Sequence, residues 1–178
     1  VYADLGTEEQ LKEITQNIAS DYTTPIKVRN LIFDDLASLK DTAVYSYEIE
    51  AKNRIQEIAG MKIFKIQWSD LIPSLEEFSL ESRKYPLELW MYFPEDITEE
   101  TITITLPEGR KILETPEDIL LECANAVYSL KYDLSTPGIL RVHRKLILKT
   151  EIVTPQEYDS FKNFIHALSE ADNKSYGI

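Results

Sequence analysis

The chain has little of what disulfides, metal knuckles or membrane spans require. Its 178 residues include one cysteine and two histidines, which excludes an internal disulfide and a CxxC metal motif. No apolar run reaches the ~18 residues that a membrane helix needs, so we expect no transmembrane segment. Glycine is scarce, with 5 residues, and this excludes the composition of a flexible linker. We expect no cofactor and no metal site.

Positive charge is also in short supply. Lysine and arginine number 19 against 31 aspartates and glutamates, which gives a formal net charge of −12. A surface this acidic repels phosphate backbones, so nucleic acid is not expected as a partner. The hydrophobic fraction of 43% is that of an ordinary globular protein. The chain begins with VYADLGTEEQ, which has neither a basic stretch nor an apolar run. Because its first residue is Val and not Met, we interpret the chain as a processed product or as a piece of a longer protein.

Two helices are predicted, one at each end of the chain. Thr7 and Gln10 have the spacing of a capping box, and apolar residues at helical spacing follow, so we predict a helix over about 8–20. Thr154, Pro155 and Glu157 supply a second start signal. An apolar face follows it, made of Tyr158, Phe161, Phe164, Ile165 and Leu168. This pattern predicts a helix over about 155–170.

Between the helices, apolar and polar residues alternate with a period of two, which is typical of β-strands. The alternation is clearest in VYSYEIEA, in ETITITLPEG, and where Leu87, Leu89, Met91 and Phe93 share one face. Further strands are predicted near residues 26–33, 61–68, 124–133 and 138–150, with proline- and glycine-rich turns between them. One-sided alternation needs a second layer to cover the apolar face. The sequence therefore predicts a mostly β fold, an antiparallel β-sandwich with an N-terminal and a C-terminal helix.

A cysteine followed by histidines is an order that some thiol enzymes use, so these residues need to be weighed. His143 alternates with Arg141 and Lys145, which places it on a cation-rich strand face. His166 falls off the apolar stripe of its helix, and Cys123 has no basic residue beside it in the sequence. We favour a structural cysteine and two surface histidines. A stand-alone thiol hydrolase built on Cys123 is the less favoured alternative.

No other motif assigns a reaction. The acidic pairs lack the spacing of a calcium loop, and no phosphate-binding loop or nucleophile elbow occurs. Trp68, Trp90 and Tyr92 are candidates for a ligand platform on which a sugar ring would stack. The alternative is that these aromatic residues simply suit β-strands. The sequence thus predicts no catalytic, cofactor-binding or metal-binding residue.

From about residue 25 onward the chain resembles a known family. The matching stretches are VYSYEIEAKN, SRKYPLELWMYF, ITITLPEGRKILETPEDI, NAVYSLKYDLSTPGILRVHRKLIL and TPQEYDSFKNFIHAL. They are similar to the C-terminal domain of unknown function that follows a transglutaminase-like, papain-like core in multidomain proteins of Gram-negative bacteria. We accordingly expect a connecting helical segment at 1–24 and an accessory β-sandwich domain of immunoglobulin-like character at 25–178.

The resemblance implies a catalytic core with Cys, His and Asp upstream of this chain, and a periplasmic or cell-envelope location. The motifs of that core have no match in these residues, so we expect the chain itself not to be an enzyme. Its expected partner is the transglutaminase-like domain of the same protein. The alternative is a module of the cell envelope that binds a glycan or a peptide.

Overall fold

The computed structural model describes residues 7–20, 26–33, 45–51, 55–58, 60–68, 73, 75–114 and 116–178. Its helices and strands, in chain order, are α1 (Thr7–Ser20), β1 (Ile26–Phe33), β2 (Tyr45–Ala51), β3 (Gln56–Ile58), β4 (Met61–Lys65), β5 (Leu87–Glu88), β6 (Ile97–Thr105), β7 (Ile119–Glu122), β8 (Ala126–Asp133), β9 (Ile139–Leu148), β10 (Ile152–Val153), α2 (Tyr158–Asp172) and β11 (Ser175–Gly177). Short 3-10 turns lie at Leu75–Phe78 and Leu89–Met91. The pairings among these strands are antiparallel, so the prediction of a mostly β fold with two helices is confirmed.

The chain divides into two compact units, which are residues 1–54 with 67–71, and residues 55–66 with 72–178. The predicted division into a connecting segment, 1–24, and an accessory domain, 25–178, stays a prediction.

The first unit contains α1 and the β1–β2 hairpin. α1 lies against β1 and begins at Thr7, close to its predicted start. The side chains of the predicted Thr7–Gln10 capping box lie outside the described residues. The β1–β2 register shifts between Arg29 and Ile32, where Asn30 has a φ of 51°. Asparagine tolerates this left-handed conformation better than most residues, and the Asn30 amide donates to Glu48 Oε2 at 2.8 Å.

In the second unit, a four-stranded sheet has the order β6–β9–β8–β7. The period-two pattern of the sequence holds here, because Leu140, Val142 and Leu146 of β9 are buried on one face while Arg141 is exposed on the other. The β6 threonines at 101, 103 and 105 are likewise exposed. Gly138, with a φ of 74°, provides the left-handed residue in the turn that precedes β9. The predicted strands near 124–133 and 138–150 are confirmed to within about two residues.

Helix α2 packs on the buried face of this sheet and contacts β7 and β8. Its buried residues are Tyr158, Phe161, Phe164, Ile165, Leu168, Ala171 and Asp172. The predicted start at about residue 155 is wrong by one turn, because the helix begins at Tyr158. Residues Thr154 to Glu157 instead form a turn in which the Thr154 N–H donates to Glu157 Oε2 at 3.0 Å. This bond is one half of the predicted capping box.

Two smaller sheets complete the second unit. β5 pairs with β10, and β4 lies between β3 and β11. Tyr176 of β11 packs on Phe64 of β4 and on Tyr132 of β8, with ring centroids 5.6 and 5.9 Å apart. These aromatic contacts join the three-stranded sheet to the four-stranded sheet, so the last residues of the chain are part of the core.

The predicted strand through Leu87, Leu89, Met91 and Phe93 is the main error of secondary structure. Only Leu87 and Glu88 are extended, and the backbone then closes into a 3-10 turn in which the N–H groups of Tyr92 and Phe93 donate to the Leu89 carbonyl. The turn buries Leu89 and Phe93 but leaves Met91 exposed. Leu89 and Phe93 point inward both in a strand and in this turn, so the apolar pattern by itself did not distinguish the two conformations.

Candidate functional site

The three residues of the predicted ligand platform have different environments. Trp68 belongs to the first unit and is 8% exposed, while Trp90 in the second unit is 69% exposed. Tyr92 is half-buried, and its ring packs on Phe78 with centroids 5.3 Å apart. Of these three aromatic residues, Trp90 therefore presents the largest open surface to a ligand.

Trp90 lies beside the outer face of the β5–β10 pair. Glu88 and Ile152 face each other across the two strands, and both are exposed, whereas Leu87 and Val153 form the opposite, buried pair. The Trp90 indole Nε1–H donates to Glu88 Oε2 at 2.7 Å. This bond restricts the ring to the face that carries Glu88 and Ile152.

A second exposed apolar residue follows this ring in the chain. Met91 comes directly after Trp90 in the 3-10 turn and is 63% exposed. The backbone joins this turn to the strand pair, because the Leu89 N–H donates to the Glu151 carbonyl oxygen at 2.8 Å. We define the Trp90 patch as Glu88, Trp90, Met91 and Ile152. An exposed apolar group with charged residues at its border is typical of an interaction surface.

Cys123 lies in the tight turn between β7 and β8, where its N–H donates to the Ala126 carbonyl. Alternation continued back from Ser129 and Lys131 would place Asn125 on the polar side of β8, but Asn125 is 1% exposed. The Asn125 amide donates to Thr150 Oγ1 at 3.1 Å and to the Ile152 carbonyl at 3.3 Å. A turn breaks strand alternation, so Asn125 is free to reach the segment that leads into α2.

His143 has a carboxylate neighbour that the sequence did not indicate. Its Nε2 lies 3.3 Å from Glu99 Oε1, and its Nδ1 lies 3.1 Å from Thr101 Oγ1. Lys145 Nζ also bonds Glu99, at 2.7 Å. This hydrogen bond from Lys145 is the main reason that the pKa of Glu99 is lowered. Glu99 and Thr101 come from β6, so only the strand pairing brings them to His143.

The strand register separates His143 from Cys123. Ala126 closes the turn that contains Cys123, and His143 lies opposite Lys131, five residues further along β8. At ~3.3 Å per residue this places the two positions about 16 Å apart, well beyond hydrogen-bond reach. His166 is exposed on α2, as its helical position indicated. The histidine with a hydroxyl and a carboxylate beside it is therefore remote from the thiol.

A buried polar network lies between the sheet and α2. Asp172 accepts a hydrogen bond from the Tyr128 hydroxyl and forms an ion pair with Arg144, whose Nη1 lies 3.1 Å from Oδ2. Arg144 is 1% exposed and Asp172 is 9% exposed. Burial, and then the Asp172 charge, raises the pKa of Tyr128. Nearby, the Tyr132 and Tyr176 hydroxyls are 2.6 Å apart, and burial raises the pKa of Tyr176.

The sequence contains one signal for this network, at Arg144. Arg144 is in phase with Val142 and Leu146 on β9, and a charged residue in an apolar phase indicates a buried partner of opposite charge. The partner, Asp172, comes from the end of α2, and no local pattern identifies it. A satisfied network of this kind fixes the position of α2 on the sheet.

Within the described part of the chain, no group of histidine, cysteine, aspartate and glutamate side chains has the arrangement of a metal site. The helices that the structure describes are too short or too polar to cross a membrane.

Comparison with known proteins gives a family and a fold. Residues 61–176 match the sequence model of a family described as a domain of unknown function with a solved structure, DUF3858. A crystal structure described as "a putative protease from Parabacteroides distasonis" is similar, with a TM-score of 0.50 and 18% sequence identity. The similarity covers 66% of this chain and 23% of that protein. At this identity it shows a shared fold alone. No curated protein matches the chain.

Proposed function

This chain belongs to the DUF3858 family, and we propose that it is a non-catalytic accessory domain of a larger, transglutaminase-like protein. In this role it packs against the transglutaminase-like domain of the same protein, positions that domain or supplies a partner for it. The parent protein is located in the periplasm or cell envelope. We also propose that the antiparallel sheets form a sandwich of immunoglobulin-like character, which an experimental structure of the chain would test.

The main support for the proposal is that the chain is similar to only a part of a longer protein. The chain spans 23% of the length of the crystal structure that it resembles, so its fold occurs as one part of a larger polypeptide. The Trp90 patch gives this part an exposed surface of the kind that binds other proteins, because tryptophan and methionine are enriched where interfaces form. The nature of the partner follows from the family resemblance described above.

Association with the neighbouring region is the direct test. This chain and the region that precedes it in the full-length protein would be produced as separate polypeptides and mixed. We expect a 1:1 complex in size-exclusion chromatography, with an affinity measurable by calorimetry. Two polypeptides that remain separate at all concentrations tested would contradict the proposal.

The non-catalytic part of the proposal has its own test. The purified chain would be assayed with peptide, ester and glutamine–amine transfer substrates, beside a Cys123→Ala variant. We expect no turnover above background from either protein. Turnover by the unmodified chain that Cys123→Ala abolishes would instead support the thiol-hydrolase alternative.

A second function, the binding of a glycan or a peptide in the cell envelope, is favoured by the exposure and fixed orientation of Trp90. Titration with soluble cell-wall glycan fragments tests it, with the intensity of tryptophan fluorescence as the measurement. We expect a glycan-binding module to show saturable quenching that Trp90→Ala removes. The lack of any response would remove this candidate.

A further inference from the structure

The polar side chain of the Trp90 patch is a carboxylate. Glu88 is exposed, accepts hydrogen bonds and carries negative charge. Glu88 already accepts from the indole N–H through Oε2, and a carboxylate has lone pairs to spare for a second donor. The group that binds best beside Trp90 is therefore a hydrogen-bond donor with a positive charge.

The ring itself favours the same kind of group. The face of an indole is the best acceptor for a cation among the aromatic side chains. Because the indole N–H donates to a carboxylate, electron density on the ring increases, which strengthens its attraction for a cation. The bond also favours one orientation of the ring, which reduces the ordering that binding of a partner requires.

The apolar residues of the patch indicate that more than an isolated cation is bound. Met91 and Ile152 are 63% and 47% exposed, and Ile152 faces Glu88 across the strand pair. Methionine adapts its shape to apolar partners. Arginine and lysine carry apolar stems that pack on such surfaces while their charged groups reach a carboxylate. The net charge of −12 would also attract a basic segment over a longer range.

We propose that the Trp90 patch is a docking surface for a protein segment that presents an arginine or lysine next to an apolar side chain. The cationic group lies over the exposed indole face and pairs with Glu88, while its apolar neighbour contacts Met91 and Ile152. This inference deepens the proposed function and rests on it for the source of the segment, which is the transglutaminase-like domain of the same protein.

A peptide probe tests the chemistry of the patch. A capped hexapeptide of alternating arginine and leucine would be titrated into the full chain and followed by calorimetry and tryptophan fluorescence. Peptides with glutamate in place of arginine, and with serine in place of leucine, are the matched controls. We expect the arginine–leucine peptide to bind at least about tenfold more tightly than either control.

Variants separate binding at the patch from general attraction to an acidic protein. Trp90→Ala should weaken the binding of the arginine–leucine peptide by at least about tenfold. Glu88→Gln keeps an acceptor for the indole N–H and removes the charge, so a loss of about threefold to tenfold is expected. Leu120→Ala is the matched control, because Leu120 is 70% exposed on β7 in another sheet, and it should change nothing. Binding that Trp90→Ala leaves intact would overturn the inference, as would stronger binding of a chitin or peptidoglycan fragment than of the peptide.

The same variants in the two-polypeptide experiment distinguish the two proposals. If the neighbouring region binds and Trp90→Ala weakens this binding by at least about tenfold, the proposed function and the docking surface are both supported. If it binds equally well to the Trp90→Ala variant, the inference fails and the accessory function remains. If it does not bind while the arginine–leucine peptide binds through Trp90, the proposed function fails and the chemistry of the patch stands.

Discussion

The Asp172 carboxylate binds two side chains of the four-stranded sheet. It accepts from the Tyr128 hydroxyl and pairs with Arg144, and all three residues are buried. Removing one member of a buried ion pair is far more harmful than breaking an exposed one, because the remaining charge cannot be solvated by water. The stability of the second unit should therefore depend strongly on this residue.

The Asp172→Asn variant is expected to lower the free energy of unfolding by about 2–4 kcal/mol, as measured by urea denaturation at pH 7. The matched control is Glu122→Gln, which removes the exposed carboxylate that bonds Lys149 and should cost less than about 1 kcal/mol. Equal effects of the two substitutions would show that the buried pair has no special role.

The buried tyrosines predict a loss of stability at alkaline pH. Burial raises the pKa of Tyr128 and of Tyr176 above that of a tyrosine in the unfolded chain. Their contribution to stability is complete below pH ~10 and is lost as the pH rises above it, because only the unfolded chain then releases these protons. The expected loss is about 1.4 kcal/mol per pH unit for each tyrosine.

Urea denaturation between pH 8 and 11.5 measures this slope. Tyr128→Phe should reduce it by the share of one tyrosine, and Tyr85→Phe, at a residue that is 78% exposed, is the matched control. A slope that is the same in all three proteins would contradict the assignment.

Among the elements, α2 depends for its position on residues outside it. The segment from Thr150 to Glu157 leads into α2, and Asn125 of the β7–β8 turn donates to Thr150 Oγ1 and to the Ile152 carbonyl. Glu157 also accepts from Asn125 and from Thr154, and the bonds from Thr154 are the main reason that its pKa is lowered. The turn that contains the single cysteine thus helps to position the helix.

We expect Asn125→Ala to lower the free energy of unfolding by about 1–3 kcal/mol, since it removes buried hydrogen bonds without replacing them. Asn163→Ala removes an exposed asparagine of α2 and is the matched control, with an expected change within about 0.5 kcal/mol. Hydrogen exchange of the backbone at residues 150–157 should become faster in Asn125→Ala alone. Unchanged exchange there would contradict the proposed link.

At the scale of the whole molecule, the three sheets of the second unit and α2 are formed from residues 55–66 and 72–178. Apart from residues 67–71, which belong to the first unit, the family match at 61–176 lies within these residues. The C-terminal residues are integrated into it, because the Ile178 N–H donates to the Lys62 carbonyl and Tyr176 is buried.

We therefore expect a fragment of residues 55–178 to fold alone and to unfold cooperatively in urea. The side-chain signals of Tyr128 and Tyr176 in its NMR spectrum should match those of the full chain. A Tyr176→Ala substitution in this fragment should cost about 3 kcal/mol or more. A fragment without cooperative unfolding would show that the second unit needs the rest of the chain.

The sequence determined the class of fold, most strand positions and the outward position of His166. Alternation and helical periodicity are local consequences of backbone geometry, so they can be identified in the sequence wherever one side of an element is buried. The same local rules failed at Leu89–Met91, where a 3-10 turn replaces the predicted strand, and at Asn125, where a turn reverses the side that is buried.

Tertiary structure alone decided which side chains meet. Asp172 reaches Arg144, Glu99 reaches His143, and Ile152 faces Glu88 across segments that are far apart in the sequence. Such pairs depend on strand register and on helix packing, and these are set by the total burial of apolar surface rather than by any short stretch. For this reason the sequence identified Trp90 as a candidate ligand-binding residue. Only the fold shows that its indole donates to the Glu88 carboxylate and that exposed apolar residues lie near it.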